Sequence, residues 1–212
     1  MSQNINVSMS VIKRLPRYYR FLGKLKDEGQ TRISSGALSN LMRTTASQIR
    51  QDLNCFGGFG QQGYGYNVEQ LYNEIGKILG VDEKIKTILV GVGNLGRAIA
   101  SHMDFKMRGF DLIGIFDKNP ALTGEKIKNY TIFSTDMLEN FCKKHSPEVA
   151  IVCTPTNSTE NLIDELVSFG ITGFWNYSHF DILSKFPSVH VQNVHLSDSL
   201  LTLGYQMKNS GK

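Results

Sequence analysis

Apolar residues in the first 80 positions recur with helical spacing. Val11, Ile12, Leu15, Tyr18, Leu22 and Leu25 share one face, which predicts an amphipathic helix over residues 10–27. Ser8 or Ser10 can cap it, and Gly29 stops it. Pro16 falls inside the pattern, so it either kinks this helix or marks where the helix proper starts. Ser34-Ser35 precedes a short helix carrying Ala37, Leu38, Leu41 and Met42. Thr44-Thr45 opens another, with Ala46, Ile49 and Leu53 inward, and Gly57-Gly58 ends it. The period then changes: residues 59–66 read as two short strands around a glycine-containing turn. Three helices followed by a hairpin is the winged-helix arrangement. Asn67 caps one more helix, whose apolar face is Val68, Leu71, Tyr72, Ile75 and Leu79.

Residues 80–86 are polar and charged and read as the domain boundary. Beyond them, short continuous apolar runs alternate with helical periods. Strands are predicted at 85–90, 112–116, 130–133, 149–153, 171–175 and 189–194. Helices are predicted after Gly91, with Ala98, Ile99 and Met103 as its apolar residues, and at 134–144 and 156–169. The alternation predicts an α/β domain: a Rossmann-type, doubly wound parallel sheet with helices on both faces. Residues 196–207 form a last amphipathic helix bearing Leu196, Leu200, Leu201, Leu203 and Tyr205. It is too apolar for a solvated tail, and packs either on its own domain or on a partner subunit. The division is therefore a winged helix in 1–80, a sheet domain in 81–195 and a terminal helix in 196–212.

Candidate chemistry concentrates where the second domain begins. A strand ending at Val90 runs straight into Gly91-Val92-Gly93-Asn94-Leu95-Gly96, then a helix, then a second strand ending at Asp117. That is a βαβ unit in which G-x-G-x-x-G opens the helix and an acidic residue follows about 20 positions on. Gly91 permits the tight turn. Gly93, without a Cβ, lets backbone approach a pyrophosphate, and Gly96 lets helix and strand pack closely. Phosphates then meet N–H groups and the positive end of the helix dipole. Asp117 suits the adenosine ribose hydroxyls and repels a 2′-phosphate, favouring NAD+/NADH; Lys118 beside it softens that preference slightly. Thr154 and Pro155 follow a strand end, where ligands collect in such sheets.

Charge adds a second candidate. Residues 1–60 hold nine Lys and Arg against three Asp and Glu, a net +6, while the whole chain is +4. A basic module on a near-neutral body fits a polyanion partner or a solvated basic helix. Helical order decides for double-stranded DNA: the helix after Thr45 is the second of a helix-turn-helix, and its first turns meet base edges. Ser47, Gln48, Arg50 and Gln51 face outward there. Arg can bind guanine in bidentate fashion and Gln can bind adenine. Arg43, Thr44 and Thr45 are placed for phosphates, Arg14 adds charge from the first helix, and Gln61, Gln62 and Tyr64 form the hairpin.

Composition excludes more than it assigns. Cys55, Cys142 and Cys153 are an odd set without C-x-x-C spacing, so neither a disulfide framework nor a zinc site is expected. Cys55 reads as a buried small hydrophobe rather than a thiol sensor. The five histidines share no metal-ligand spacing, so no metal is expected. No apolar run reaches membrane-spanning length and no signal-peptide core is present, so a cytoplasmic protein without a membrane partner is expected.

Together the halves resemble the Rex family of redox-sensing transcriptional repressors. The resemblance covers nearly the whole chain. It is carried by RLPRYYR (14–20), TASQIRQDLNCFG (45–57), FGQQGYGYNV (59–68), GVGNLG (91–96), GIFDKNP (114–120) and VHLSDSLLTLGY (194–205). It implies a homodimer whose C-terminal helix reaches across to the other subunit. It also implies that an inverted-repeat operator is bound when NAD+ dominates and released when NADH binds. The chain departs from the family at several points: Gln61 and Gln62 stand where members commonly carry Arg or Lys, and His195 where many carry Asp. A Tyr often sits near the position of His102, and residues 176–179 depart from the family's N-F-x-P.

Two other classes fit the sequence less well. A small NAD-dependent oxidoreductase needs a proton donor or acceptor beside the nicotinamide and a substrate domain. After residue 117 the chain only completes the sheet and one helix, without a Ser-Tyr-Lys or His–Asp arrangement. No catalytic residue is therefore expected. A CoA-binding Rossmann module leaves the basic winged helix unexplained.

Overall fold

Pro16 sets where the first long helix begins. In the computed structural model, which describes residues 7–57, 60–61 and 64–209, a short α1 (Met9–Ile12) gives way to α2 (Leu15–Asp27). Pro16 lies in the first turn of α2, where its missing N–H costs nothing. The single helix expected over 10–27 is thus two. The chain divides into two units, residues 1–82 and 83–212.

In the first unit, β1 (Arg32–Ile33) leads to α3 (Ser35–Met42) and α4 (Ala46–Asn54). β2 (Gly60–Gln61), β3 (Gly65–Asn67) and α5 (Val68–Leu79) follow. Ser34, Thr45 and Asn67 cap α3, α4 and α5 through side-chain oxygens, as the sequence suggests. The hairpin strands β2 and β3 pair antiparallel, and β1, which the sequence reading missed, pairs with the other edge of β3. Gly65 is obligatory there: its φ is +69°, and a Cβ would lie 2.6 Å from the Ile33 carbonyl oxygen. Leu15, Tyr18, Leu22, Leu38, Ile49, Leu53, Val68, Leu71 and Ile75 form the core. The expected helical faces meet in it, except that Ala37 and Leu41 of α3 are exposed.

The second unit opens with β4 (Ile85–Val90), α6 (Asn94–His102) and β5 (Phe110–Asp117). β6 (Lys126–Ile127), β7 (Tyr130–Ser134), α7 (Leu138–His145) and β8 (Val149–Val152) come next. α8 (Thr156–Ser168), β9 (Gly173–Asn176), α9 (Ile182–Lys185), β10 (His190–Asn193) and α10 (Leu196–Asn209) complete it. The sheet order is β10-β9-β8-β4-β5-β7-β6. Six strands are parallel, in the Rossmann order that reverses direction between β4 and β8. The sheet is not wholly parallel: β6 pairs antiparallel to β7 at the edge. Two residues are too short to show a strand period, so the sequence reading passed over it.

Alternation along the strands builds two cores. Ile88, Val90, Ala150 and Val152 point to one face, with Leu138, Ile163 and Leu166 from α7 and α8. Leu89, Ile115 and Ile151 point to the other, with Ile99 and Ala100 from α6. This is the doubly wound arrangement. Within α6 the inward positions are Ile99 and Ala100, while Ala98, expected inward, is exposed. Cys55 is likewise exposed, not buried, because α4 ends before it and leaves it on the surface with its thiol donating to the Gln51 carbonyl. Every described residue of α10 is exposed, so the described residues do not bury this helix. No helix among the described residues is long and apolar enough to cross a membrane.

Candidate functional sites

The reversal between β4 and β8 opens a crevice at the carboxyl ends of the strands, and the glycine turn forms its edge. A cavity of about 590 Å³ lies there. Gly91, Gly93, Leu95, Asp117, Lys118, Thr154 and Pro155 line it, so seven of the ten residues expected at the cofactor come together. The other three are in the same turn. Val92 is buried, Asn94 is the first residue of α6, and Gly96 is buried beneath the turn.

Each glycine has a distinct geometry. Gly91 has φ +97°, and a Cβ there would lie 2.7 Å from the Cys153 carbonyl oxygen. A Cβ on Gly96 would collide with the Gly91 carbonyl. Gly93 has nothing within 4 Å of where its Cβ would stand. The turn and the close packing are therefore built by Gly91 and Gly96, and Gly93 faces open space where a ligand backbone-to-phosphate approach fits. The first N–H groups of α6 have no intrahelical partner, and no side chain caps them.

Asp117 does more than the sequence implied. Its Oδ2 accepts from the Val92 N–H at 2.6 Å and its Oδ1 from the Asn119 N–H at 2.8 Å. One carboxylate thus braces the phosphate turn against the end of β5. The Val92 N–H is held by Asp117 rather than offered to a ligand.

Other lining residues escaped the sequence reading. Thr135, Cys153 and Tyr177 each follow a strand end, and the rule that ligands gather at strand carboxyl ends could have found them. Ser158, Asn161, Leu162 and Glu165 form one face of α8 at helical spacing. Thr154 and the buried Thr159 share a hydrogen bond of 3.0 Å across the start of α8. Burial pushes the Cys153 thiol up to about 12. Burial, with Cys153 adding to it, also takes the Tyr177 phenol to about 12. Both are protonated at neutral pH, so neither is an activated nucleophile or base.

Residues 176–179 are tied into a polar knot. The buried Asn176 amide donates to the Phe180 carbonyl at 3.0 Å and to Asn193 Oδ1 at 2.8 Å. It accepts from the Ser178 N–H and hydroxyl at 3.0 and 2.7 Å. His179 and His195 bring their rings to 5.2 Å, and His195 Nδ1 lies 3.7 Å from Asp198. Among the described residues no His, Cys, Asp and Glu group could hold a metal ion.

In the first unit, α4 presents the face expected for reading DNA. Arg43, Thr45, Ser47, Arg50 and Gln51 are exposed, Thr44 and Gln48 half-buried, and Ile49 and Leu53 buried. Arg50 Nη1 donates to Ser35 Oγ at 3.2 Å. One expectation changes and another is narrowed. Arg14 forms a bidentate pair with the buried Asp52, 2.7 Å for each bond, so its charge is committed inside the unit rather than offered to phosphate. Gln48 Nε2 also donates to Asp52, at 2.8 Å, which uses one of its two N–H groups. Asp52 passed unnoticed in the sequence as one carboxylate in a basic module. Of the hairpin residues, Tyr64 is 69% exposed, Gln61 lies in β2, and Gln62 lies outside the described residues. Arg32, not expected at this site, donates to the Tyr64 carbonyl at 3.2 Å and sits 5.9 Å from its ring centre.

Comparison with known proteins identifies the family. Residues 6–54 match a family model described as "Putative DNA-binding protein N-terminus", and residues 82–180 match one described as "CoA binding domain". The redox-sensing transcriptional repressor Rex of Clostridioides difficile (strain 630) is 50% identical, over 98% of this chain and 99% of its own. Rex of Thermoanaerobacter pseudethanolicus is 50% identical over 98% of this chain and 92% of its own. A crystal structure of RSP in complex with beta-NAD+ and operator DNA superposes with a TM-score of 0.88 at 50% identity. It covers 97% of this chain and 94% of that one. RSP in complex with beta-NADH gives 0.89 at 46%, over 97% and 96%. The CoA-binding model, but for residue 82, matches only the second unit, whereas these relatives run through both. By identity and coverage, this chain belongs to the Rex family of redox-sensing transcriptional repressors.

Proposed function

We propose that the chain is an NADH/NAD+-responsive repressor that binds an inverted-repeat operator as a homodimer and releases it when NADH binds. The carrying observation is the glycine turn at the sheet's switch point, with open space over Gly93 and a cavity large enough for part of a dinucleotide. A cradle of this kind fits a pyrophosphate. Gly93, Asn94, Leu95 and Gly96 would hold it by backbone N–H groups. Asp117 would meet the ribose hydroxyls, Lys118 and Thr154 would flank it, and Pro155 would border it.

Support for the DNA half comes from the capped, exposed face of α4 and from relatives named as repressors. Ser47, Arg50 and Gln51 would reach base edges, and Arg43, Thr44 and Thr45 phosphates. Residues 1–80 would act as the reading head, 81–195 as the sensor and 196–212 as the dimer helix. The exposed Leu196, Leu200 and Leu203 suit a partner subunit. The protein would work in the cytoplasm, as a regulator and not an enzyme. RSP has been crystallised with operator DNA and beta-NAD+, and separately with beta-NADH. That contrast supports the same sense of switching here.

A mobility-shift titration on an AT-rich inverted repeat tests the reading. The expected result is a shift that persists with NAD+ and is lost as NADH is added, without NADH absorbance changing. A shift indifferent to both cofactors, or turnover of NADH with a substrate, overturns it.

A further inference from the structure

Asp52 is 1% exposed, and its two oxygens gather four hydrogen bonds. Oδ1 accepts from Arg14 Nη2 at 2.7 Å and from Gln48 Nε2 at 2.8 Å. Oδ2 accepts from Arg14 Nε at 2.7 Å and from the Tyr18 hydroxyl at 3.0 Å. A buried carboxylate left unpaired is strongly destabilising, so this set is mutually dependent. Arg14 comes from the link before α2, Tyr18 from α2, and Asp52 and Gln48 from α4. The cluster therefore fastens α4 to α2. It also does something to Gln48 that no other residue of α4 experiences.

We propose that Asp52 fixes which way the Gln48 amide faces, and so makes Gln48 a reader of bases that offer an amino group in the major groove. This rests on the reading of α4 as the DNA-reading helix. An unrestrained Gln can turn its amide over and present oxygen or nitrogen at will. A carboxylate only accepts, so the Gln48 NH2 must face Asp52. Turning the amide over would lose the 2.8 Å bond and set Oε1 against Oδ1. Gln48 Oε1 is thereby directed away from Asp52, with one N–H left beside it. Adenine offers N6–H2 next to the acceptor N7, and cytosine offers N4–H2. Guanine O6 and N7 and thymine O4 are all acceptors: the one remaining N–H can meet one of them, but Oε1 then finds no donor. The expected order at the base Gln48 meets is adenine first, cytosine second, and guanine and thymine last. Asp52 is a positioning residue here and never reaches DNA itself.

The test is a single-base scan of an operator half-site with the full-length protein, comparing wild type, Gln48→Ala, Asp52→Asn and the double variant. Wild type should prefer adenine over guanine or thymine at one base pair by about fivefold, the weight of one net hydrogen bond. Gln48→Ala and Asp52→Asn should each flatten that same base pair, and the double variant should flatten it no further. A merely structural Asp52 would lower affinity at every position alike. Loss of the preference in Gln48→Ala but not in Asp52→Asn overturns the proposal, as does a Gln48→Ala variant that alters no base pair. Should Asp52→Asn not fold, the wild type decides: the Gln48 side-chain NH2 should exchange with solvent at least about tenfold more slowly than that of the exposed Gln51, as a bonded donor does. Equal rates overturn it. Wild type that binds no operator in the scan instead defeats the repressor reading, a result separate from the exchange measurement.

Discussion

The two candidate sites are held by different parts of the polypeptide. In the second unit the turn at the crevice's edge is shaped by backbone. Gly91 and Gly96 are glycines because a Cβ would strike the main chain. In the first unit the candidate reading helix is fastened by side chains: Asp52 gathers Arg14, Tyr18 and Gln48. A backbone site tolerates little change in its glycines but little depends on its neighbours. A side-chain site can change its reading through a residue that never meets the ligand.

The largest expected effect comes from a third element. Residues 196–212 carry Leu196, Leu200, Leu201 and Leu203, all more than half exposed. Deleting them should leave a monomer or loose dimer with NADH affinity largely kept. Operator affinity should fall by about 10²–10⁴, the gain that linked binding gives over a single contact. Sedimentation with a mobility shift reads both. A tight dimer with normal operator binding would show that the reading heads are joined elsewhere.

Gly93→Asp breaks the backbone site alone. The Gly93 φ is −67° and open space surrounds its missing Cβ, so the fold accepts the substitution. A carboxylate there should weaken NADH binding about a hundredfold or more, given roughly 4 kcal/mol between unit charges at about 4 Å and an effective dielectric near 20. Operator binding should persist without a cofactor response. Gly91→Ala is the contrasting case: its φ of +97° and the Cys153 carbonyl should cost about 2 kcal/mol of stability or more, read as a lower urea midpoint.

Arg50→Ala probes the side-chain site. If Arg50 grips guanine in bidentate fashion, discrimination at one base pair should fall by about 1–3 kcal/mol. If it touches phosphate, affinity should fall evenly across sequences. No loss on any DNA would remove α4 from the interface.

Acid should also separate the units. Burial alone would raise the Asp52 carboxyl, but bonds from Arg14, Gln48 and Tyr18 outweigh it and hold the group below its ordinary 3.8. A carboxyl depressed on folding contributes stability that is fully present above the unfolded value and is lost as pH falls through the folded one. Unfolding of the first unit should therefore steepen below about pH 4, and Asp52→Asn should blunt that acid limb. An unchanged limb would mean that other carboxyls carry it.

The same contrast explains what the sequence made legible. The glycine motif, the strand before it and Asp117 lie within one βαβ stretch, so local pattern found Gly91, Gly93, Leu95, Asp117 and Lys118, while the strand-end rule found Thr154 and Pro155. Thr135, Tyr177 and the α8 face come from strands and a helix far along the chain, and only the sheet order unites them. For α4, the inward positions Ile49 and Leu53 and the caps followed from period and residue type. Asp52 did not, because its partner Arg14 is 38 residues away and a carboxylate in a basic module looks like a solvated one. β1 and β6 have two residues each, too few for any period. Cys55 was misplaced because a helix end, not a composition, decides its exposure.

The smallest expected effect belongs to Arg32. It stands on β1 beside the hairpin, bonded to the Tyr64 carbonyl at 3.2 Å with its guanidinium 5.9 Å from the Tyr64 ring. Gln61 and Gln62 bring no charge to the hairpin, so Arg32 is the cation that the wing's own strands carry. Its side chain is tethered at one end to backbone, which leaves the other guanidinium nitrogens for a phosphate but sets them far from any base-reading role. Arg32→Ala should lower operator affinity by a few-fold, evenly across sequences, and weaken the salt slope by about one unit. Neither base preference nor the NADH midpoint should move, in contrast to Asp52→Asn and Gly93→Asp respectively. A base-specific loss in the half-site scan would instead mean that the wing reads sequence, and that the division between a reading helix and a supporting hairpin is drawn in the wrong place.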